Sequence, residues 1–130
     1  MAKTPVKLEI DGYQEREVLM VTYEFNQETD IEGQMSGIPR GGKINLRVKA
    51  LNDGKPDLMA WMVDPRLLKN GKITFKETKS GQKMKDIEFT DAYCVKYHER
   101  WEDKHVHIEE ITITCRNIKF GNVEYTNDWA

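Results

Sequence analysis

Apolar residues recur at every second position through most of this 130-residue chain, and that period limits its fold more than any other feature. A period of two places side chains on one face of a half-buried β-strand. Val6, Leu8 and Ile10 alternate with Lys7 and Glu9, and "DGY" at 11–13 then offers a tight turn. Leu19, Val21, Tyr23 and Phe25 share one face of a second strand. Ile44, Leu46 and Val48 share a face of a third, with Lys43, Arg47 and Lys49 opposite. Ile73 and Phe75 lead to a turn at Ser80-Gly81. The longest run puts Ile87, Phe89, Tyr93, Val95, Tyr97 and Trp101 at odd positions, broken only by Asp91 and Glu99. Ile111, Ile113 and Cys115 mark the next strand, and Ile118, Phe120, Val123 and Tyr125 the last, with a bulge or turn at Gly121-Asn122. About seven strands of this kind predict a mainly β fold, a small antiparallel β-barrel that is closed or nearly so.

Two segments depart from the period. In "DGKPDLMAWMVDP", Leu58, Trp61 and Met62 stand at i, i+3 and i+4, one face of a short α-helix. Pro56 and Asp57 suit its first turn, and Asp64-Pro65 ends it, because the residue before proline disfavours the helical region. Burial of those three side chains contributes about 1.5–3 kcal/mol each, so the helix is expected to plug the barrel or cover its sheet. The second departure is "NQETDIEGQMSGIPRGG", residues 26–42, a long extended loop for so short a chain. Its Ile31, Met35, Ile38 and Pro39 are too apolar for a free linker. It reads as a projecting arm that docks on something, or else as a loop folded back on its own barrel. If it is an arm, Asp30, Ile31, Gly33, Met35, Ile38, Pro39 and Arg40 are its contact residues.

"YHERWEDKHVHIEE", residues 97–110, holds every histidine of the chain. A three-residue turn "EDK" would pair Trp101 with His105, Glu99 with His107, Tyr97 with Glu109 and Val95 with Ile111. His105, His107, Glu99 and Glu109 would then gather at one end of a hairpin, a donor set chemically adequate for zinc. Cross-strand Glu–His and Trp–His pairs account for the same residues as ordinary sheet chemistry. Residues i and i+2 on one strand lie about 7 Å apart, too far for one ion unless the strand bends, and His98 points to the other face. The expectation is a hairpin tip with no metal. The same register sets Cys94 opposite Thr112 and Cys115 opposite Asp91 on the other face, so no disulfide is expected.

No GxSxG, GxGxxG, P-loop or CxxC occurs, and "RGGK" at 40–43 enters a strand, whereas phosphate cradles open a helix. The chain is therefore expected to have no catalytic residue and no cofactor. Its formal net charge of -2, from 20 basic and 22 acidic side chains, argues against a duplex nucleic-acid binder. No run approaches the roughly 20 apolar residues of a membrane helix. "MAKTPVKLEI" lacks the apolar core of a signal peptide, so cytoplasmic synthesis without a cleaved leader is expected.

The order of these pieces carries a resemblance. Barrel strands are followed by a loop with D-x-x-G (Asp30, Gly33), the "GGKINLRVKA" strand and the helix containing Trp61. Then come "GKITF", "IEFTDAYCVKYHERW", "ITITCRNIKFGN" and Trp129. The chain resembles, over nearly its whole length, the Hcp family of type VI secretion tube proteins in the form carried by Bacteroidota. The most specific part is Tyr93, Val95, Tyr97, Glu99 and Trp101 ahead of Ile111, Ile113, Gly121 and Asn122. There are two departures: Pro39 follows Gly33 at a greater distance than in the family, and the histidine-rich tip is not part of the family pattern. Both bear on ring stacking.

The resemblance implies one domain over 1–130 and a hexameric ring that stacks into a tube. It further implies partners in a contractile sheath, a tip spike and effector cargo carried in the lumen, with assembly in the cytoplasm and secretion by the type VI system without a signal peptide. Two other classes stand beside it. A small-ligand-binding barrel of lipocalin type needs a cavity that Leu58, Trp61 and Met62 would fill, and a metal-dependent barrel enzyme would depend on His105 and His107.

Overall fold

The computed structural model describes residues 5–25, 31–34, 41–51, 53–76 and 83–127. Among them run β1 (Val6–Ile10), β2 (Arg16–Tyr23), β3 (Lys43–Lys49), α1 (Asp57–Val63), β4 (Lys69–Lys76), β5 (Lys83–Arg100), β6 (Ile108–Phe120) and β7 (Val123–Thr126). The strands pair antiparallel in the order β3-β2-β1-β4-β5-β6-β7, and β3 returns to pair with β6. That last pairing closes the sheet. The first half of β6 meets β3, from Ile108 opposite Lys49 to Thr114 opposite Lys43. Its second half meets β7, with Phe120 opposite Val123 across the Gly121-Asn122 turn. The fold is thus the small antiparallel barrel with one short helix that the alternation predicts. The turn expected at Ser80-Gly81 lies outside the described residues.

Alternation works as expected where strands are unbroken. Leu8 and Ile10 of β1, and Ile44, Leu46 and Val48 of β3, are buried, and so are Ile111, Ile113 and Cys115 of β6. Leu58 and Trp61 of α1 are fully buried against them, with Met62 packed at the margin. Pro56 occupies the helix N-cap, Asp57 lies in the first turn, and Asp64 is already extended at φ −101° and ψ 103°. The Trp61 indole N–H donates to the carbonyls of Leu67 at 3.1 Å and Ala92 at 3.3 Å. Tyr13, from the β1–β2 turn, packs edge-on to the same indole at 6.4 Å. Helix, turn and β5 are thereby fixed to one another.

Bulges account for the departures. On β2, Val18 is opposite Val48 but Met20 is opposite Arg47, so Leu19 is an inserted residue. An insertion flips the side-chain faces beyond it. Val21 and Tyr23 still pack on the core, whereas Leu19, expected on their face, is 46% exposed. On β5 the inward set changes twice. Ile87 and Phe89 are buried, and then at Asp91, with a left-handed φ of 52°, the set becomes Ala92 and Cys94. β6 changes with it, from Cys115 to Ile118, so the two strands stay in register across the bend. A bulge at Val95 shifts the register again, leaving Val95 exposed and returning Tyr97 to the core margin. Tyr93 and Val95 therefore do not share the inward face with Ile87 and Phe89, as an unbroken strand would require.

Where β2 ends, aromatic rings close the barrel. Tyr23 lies 5.0 Å from Phe120, and Phe25 lies 5.8 Å from Phe120 and 4.9 Å from Tyr125. The chain entering β3 passes directly over Phe25: a Cβ at Gly41 would run into that ring. This gives the "GG" of the strand entry a packing role.

Candidate functional surfaces

Of the expected arm residues, Asp30, Met35, Ile38, Pro39 and Arg40 lie outside the described residues. Ile31 and Gly33 lie within them. Ile31 is fully exposed, at 101% of its reference area, and Gly33 has a φ of 85°, a left-handed conformation suited to glycine.

The β5–β6 hairpin tip is wider than a three-residue turn. β5 ends at Arg100 and β6 begins at Ile108. The register also differs: Tyr97 is opposite Ile111, His98 opposite Glu110 and Glu99 opposite Glu109. The wider loop is the cause: residues 101–107 centre the hairpin one residue later than "EDK" does. Trp101, expected against His105, lies beyond the paired strands and is 68% exposed. The Glu99–His107 contact survives as a diagonal pair at 2.8 Å, and His105 instead approaches Glu102, at 3.8 Å. Among the described residues no group of three or more histidine, cysteine or acidic side chains is arranged to hold a metal ion.

The register also moves the cysteines. Cys94 is opposite Ile113, not Thr112, and Cys115 is opposite Ala92, not Asp91. Both are free, buried thiols. Burial pushes Cys94 up to about 11 and Cys115 up to about 12, so neither is a nucleophile near neutral pH.

Glu109, expected at the tip, is instead drawn inward. It lies in line with Ile111 and Ile113 and is 7% exposed. Arg16 donates from Nη1 to its Oε1 at 2.6 Å, and the Tyr97 hydroxyl donates to its Oε2 at 2.6 Å. The same guanidinium nitrogen reaches the Lys49 carbonyl at 3.4 Å. Burial, followed by the hydrogen bond to Glu109, raises the Tyr97 phenol well above its ordinary value, which keeps it a donor. This network joins β2, β3, β5 and β6. Sequence reasoning missed it, although Arg16 and Glu109 both stand two residues from an inward-facing apolar position.

Two outer faces of the barrel carry rows of polar and charged side chains. Across β1, β4, β5, β6 and β7 one row reads Glu9, Lys72, Glu88, Lys119, Glu124, each opposite the next. Every cross-strand neighbour has the opposite sign, the favourable arrangement for directly facing pairs. Across β2, β3, β6 and β5 the rows read Met20, Arg47, Glu110, His98 and Thr22, Asn45, Thr112, Lys96. Here Thr112 donates to Asn45 at 2.8 Å. Arg47 Nε lies 3.4 Å from Glu110 Oε1 but is not aligned for a hydrogen bond. Beside this face, Leu19, Arg47, Arg100, His105 and Val106 line an open cleft of about 300 Å³. No helix among the described residues is long and apolar enough to cross a membrane.

The sequence profile described as "Hemolysin coregulated protein Hcp (TssD)" matches residues 2–130. No curated protein matches the chain. Among solved structures, Hcp1 from Flavobacterium johnsoniae is similar at 33% identity with a TM-score of 0.86, over 95% of this chain and 99% of that one. Hcp1 from the E. coli EAEC 042 pathovar superposes with a TM-score of 0.78 at 16% identity, over 98% of this chain and 100% of that one. The secreted protein Hcp3 from Pseudomonas aeruginosa gives 0.62 at 16%, over 98% of this chain and 99% of that one. At such identities the last two show the shared fold.

Proposed function

Because the chain belongs to the hemolysin coregulated protein (Hcp, TssD) family, we propose that residues 1–130 act as one tube domain with a purely structural role. It is a tube subunit of a type VI secretion system, a protein that forms hexameric rings stacking into the inner tube. The observation that carries this reading is the family match over residues 2–130. A barrel interior filled by Trp61, Phe89, Leu58 and Ile73 is consistent with a building block. In this reading the contractile sheath surrounds the stacked rings, a spike caps them, effectors travel in the lumen, and the subunit leaves the cell without a cleaved signal peptide.

The first test is mass. Purified, untagged protein is expected to scatter light as a six-membered ring and to show rings in negative stain. A concentration-independent monomer across the micromolar range would end the tube reading.

The arm carries a second test. Ile31 is fully exposed on this one subunit, the exposure expected of a side chain that a neighbour covers. Replacing Ile31, Met35 and Ile38 with serine removes apolar burial worth several kcal/mol at about 25 cal/mol per Å². The loss is expected to fall on ring or stack formation, with the subunit's unfolding transition still cooperative. A variant that assembles and stacks like the parent rules out the arm.

A further inference from the structure

The two stems of the arm are held by residues on and just after β7. Phe25, which precedes residues 26–40, packs its ring 5.8 Å from Phe120 and 4.9 Å from Tyr125. Gly41 and Gly42 follow the same stretch, and Gly41 lies on the Phe25 ring too closely for a Cβ. One stem therefore rests on the other. Asn127 fastens the second stem. Its Nδ2 donates to the carbonyls of Gly41 at 3.2 Å and Cys115 at 2.8 Å. Its Oδ1 accepts from the Tyr125 hydroxyl at 2.9 Å. The Asn127 backbone N–H donates to the Arg116 carbonyl at 2.6 Å, and the Cys115 N–H donates to the Gly42 carbonyl at 2.8 Å. Gly42 has a φ of 94°, and a Cβ there would collide with the Asn127 amide. A carboxylate of the same shape would have no proton for either carbonyl.

We infer that Asn127 is a positioning residue for assembly: it clasps the returning stem of the arm to β6 and β7, and so sets where the arm leaves the barrel. That the arm docks between copies rests on the tube reading. Asn127 is half-buried, and its hydrogen bonds go to backbone groups and to the Tyr125 hydroxyl. Its loss is therefore expected to release the stem and leave the apolar interior filled. A loop whose ends are pinned gives up less conformational freedom on docking than one with a frayed end. A second amide supplies the comparison. Asn117 Nδ2 donates to Glu124 Oε1 at 3.0 Å and to Thr126 Oγ1 at 2.8 Å. It joins the same two strands, and neither of these bonds reaches the arm's stems.

The experiment compares the untagged parent with Asn127→Ala and Asn117→Ala, and carries the triple serine variant of the arm alongside. Light scattering over a range of concentrations follows assembly, and urea unfolding follows the subunit. Hydrogen exchange of the Cys115 amide, below the assembly concentration, reports the stem directly. Asn127→Ala is expected to raise the concentration at half assembly about tenfold, equivalent to ordering about one more residue on docking. Its Cys115 amide is expected to exchange about tenfold faster than in the parent. Asn117→Ala is expected to stay within about twofold of the parent in both, with the urea midpoints of the two alanine variants alike. If Asn127→Ala does not fold, Tyr125→Phe replaces it. That change removes only the hydroxyl holding the amide oxygen, and about threefold weaker assembly is expected. Parent-like assembly of Asn127→Ala, when the arm variant fails to assemble, overturns the inference and leaves the arm reading intact. Equal weakening by both alanine variants overturns it in favour of a general staple between β6 and β7. Weaker assembly with unchanged Cys115 exchange overturns it in favour of a direct contact by Asn127. An arm variant that assembles like the parent ends the arm reading, and the inference with it.

Discussion

Replacing Glu109 with alanine is expected to destabilise the subunit by about 3–5 kcal/mol, close to what breaking a buried ion pair costs when one charge is left behind. The Arg16 and Glu109 side chains are 4% and 9% exposed, so water cannot replace the lost carboxylate at either donor. Arg16 would retain one long contact, to the Lys49 carbonyl, and the Tyr97 hydroxyl would lose its acceptor. Removing both charges has a different result: Arg16→Met combined with Glu109→Leu is expected to come close to the parent, because the desolvation cost disappears with the attraction. Urea unfolding followed by tryptophan fluorescence measures both, with the midpoint shifting and the slope unchanged. A loss below about 1 kcal/mol in the single variant would mean that solvent reaches the pair.

The second large effect belongs to Trp61. Trp61→Ala is expected to cost about 3–5 kcal/mol, the range for emptying an aromatic site in a packed core. Part of the loss is apolar contact with its neighbours, including Tyr13. Another part is polar: the carbonyls of Leu67 and Ala92 lose the indole donor, and an orphaned buried acceptor is costly. Trp61→Phe separates the two, since it keeps most of the volume and removes only the donor; a loss of about 1–3 kcal/mol is expected. Thermal unfolding checks both. Equal losses in the two variants would show that the hydrogen bonds, and not the packing, hold α1 in place.

The residues that made the fold legible are those on unbroken strands. β1, β3 and the first half of β6 alternate cleanly, and α1 announces itself through Leu58, Trp61 and Met62. The departures have a shared cause. Leu19 and Val95 are single inserted residues, and an insertion reverses the meaning of every later position while leaving composition unchanged. Asp91 offers a weak hint, because aspartate tolerates left-handed backbone, yet nothing in the sequence marks Leu19 or Val95. The candidate site suffered most. The hairpin-tip register depends on where the turn is centred, and nothing in "RWEDKHVH" marks a loop as wide as residues 101–107; Glu109, which the sequence groups with the histidines, turns inward to Arg16.

The β3–β6 pairing that closes the barrel also sets an order of events at the ribosome. Lys43–Lys49 emerges long before Ile108–Phe120 does, and at about 5–20 residues per second the earlier strand waits several seconds for its partner. Through that interval Ile44, Leu46 and Val48 have β2 on one side and an open ladder on the other. An apolar strand left open is a template for pairing with another nascent chain. Lys43, Arg47 and Lys49, interleaved with those three residues, make such pairing between identical copies a meeting of like charges. The same cations that mark the outer face of the finished barrel thus act as gatekeepers while the polypeptide is still being made.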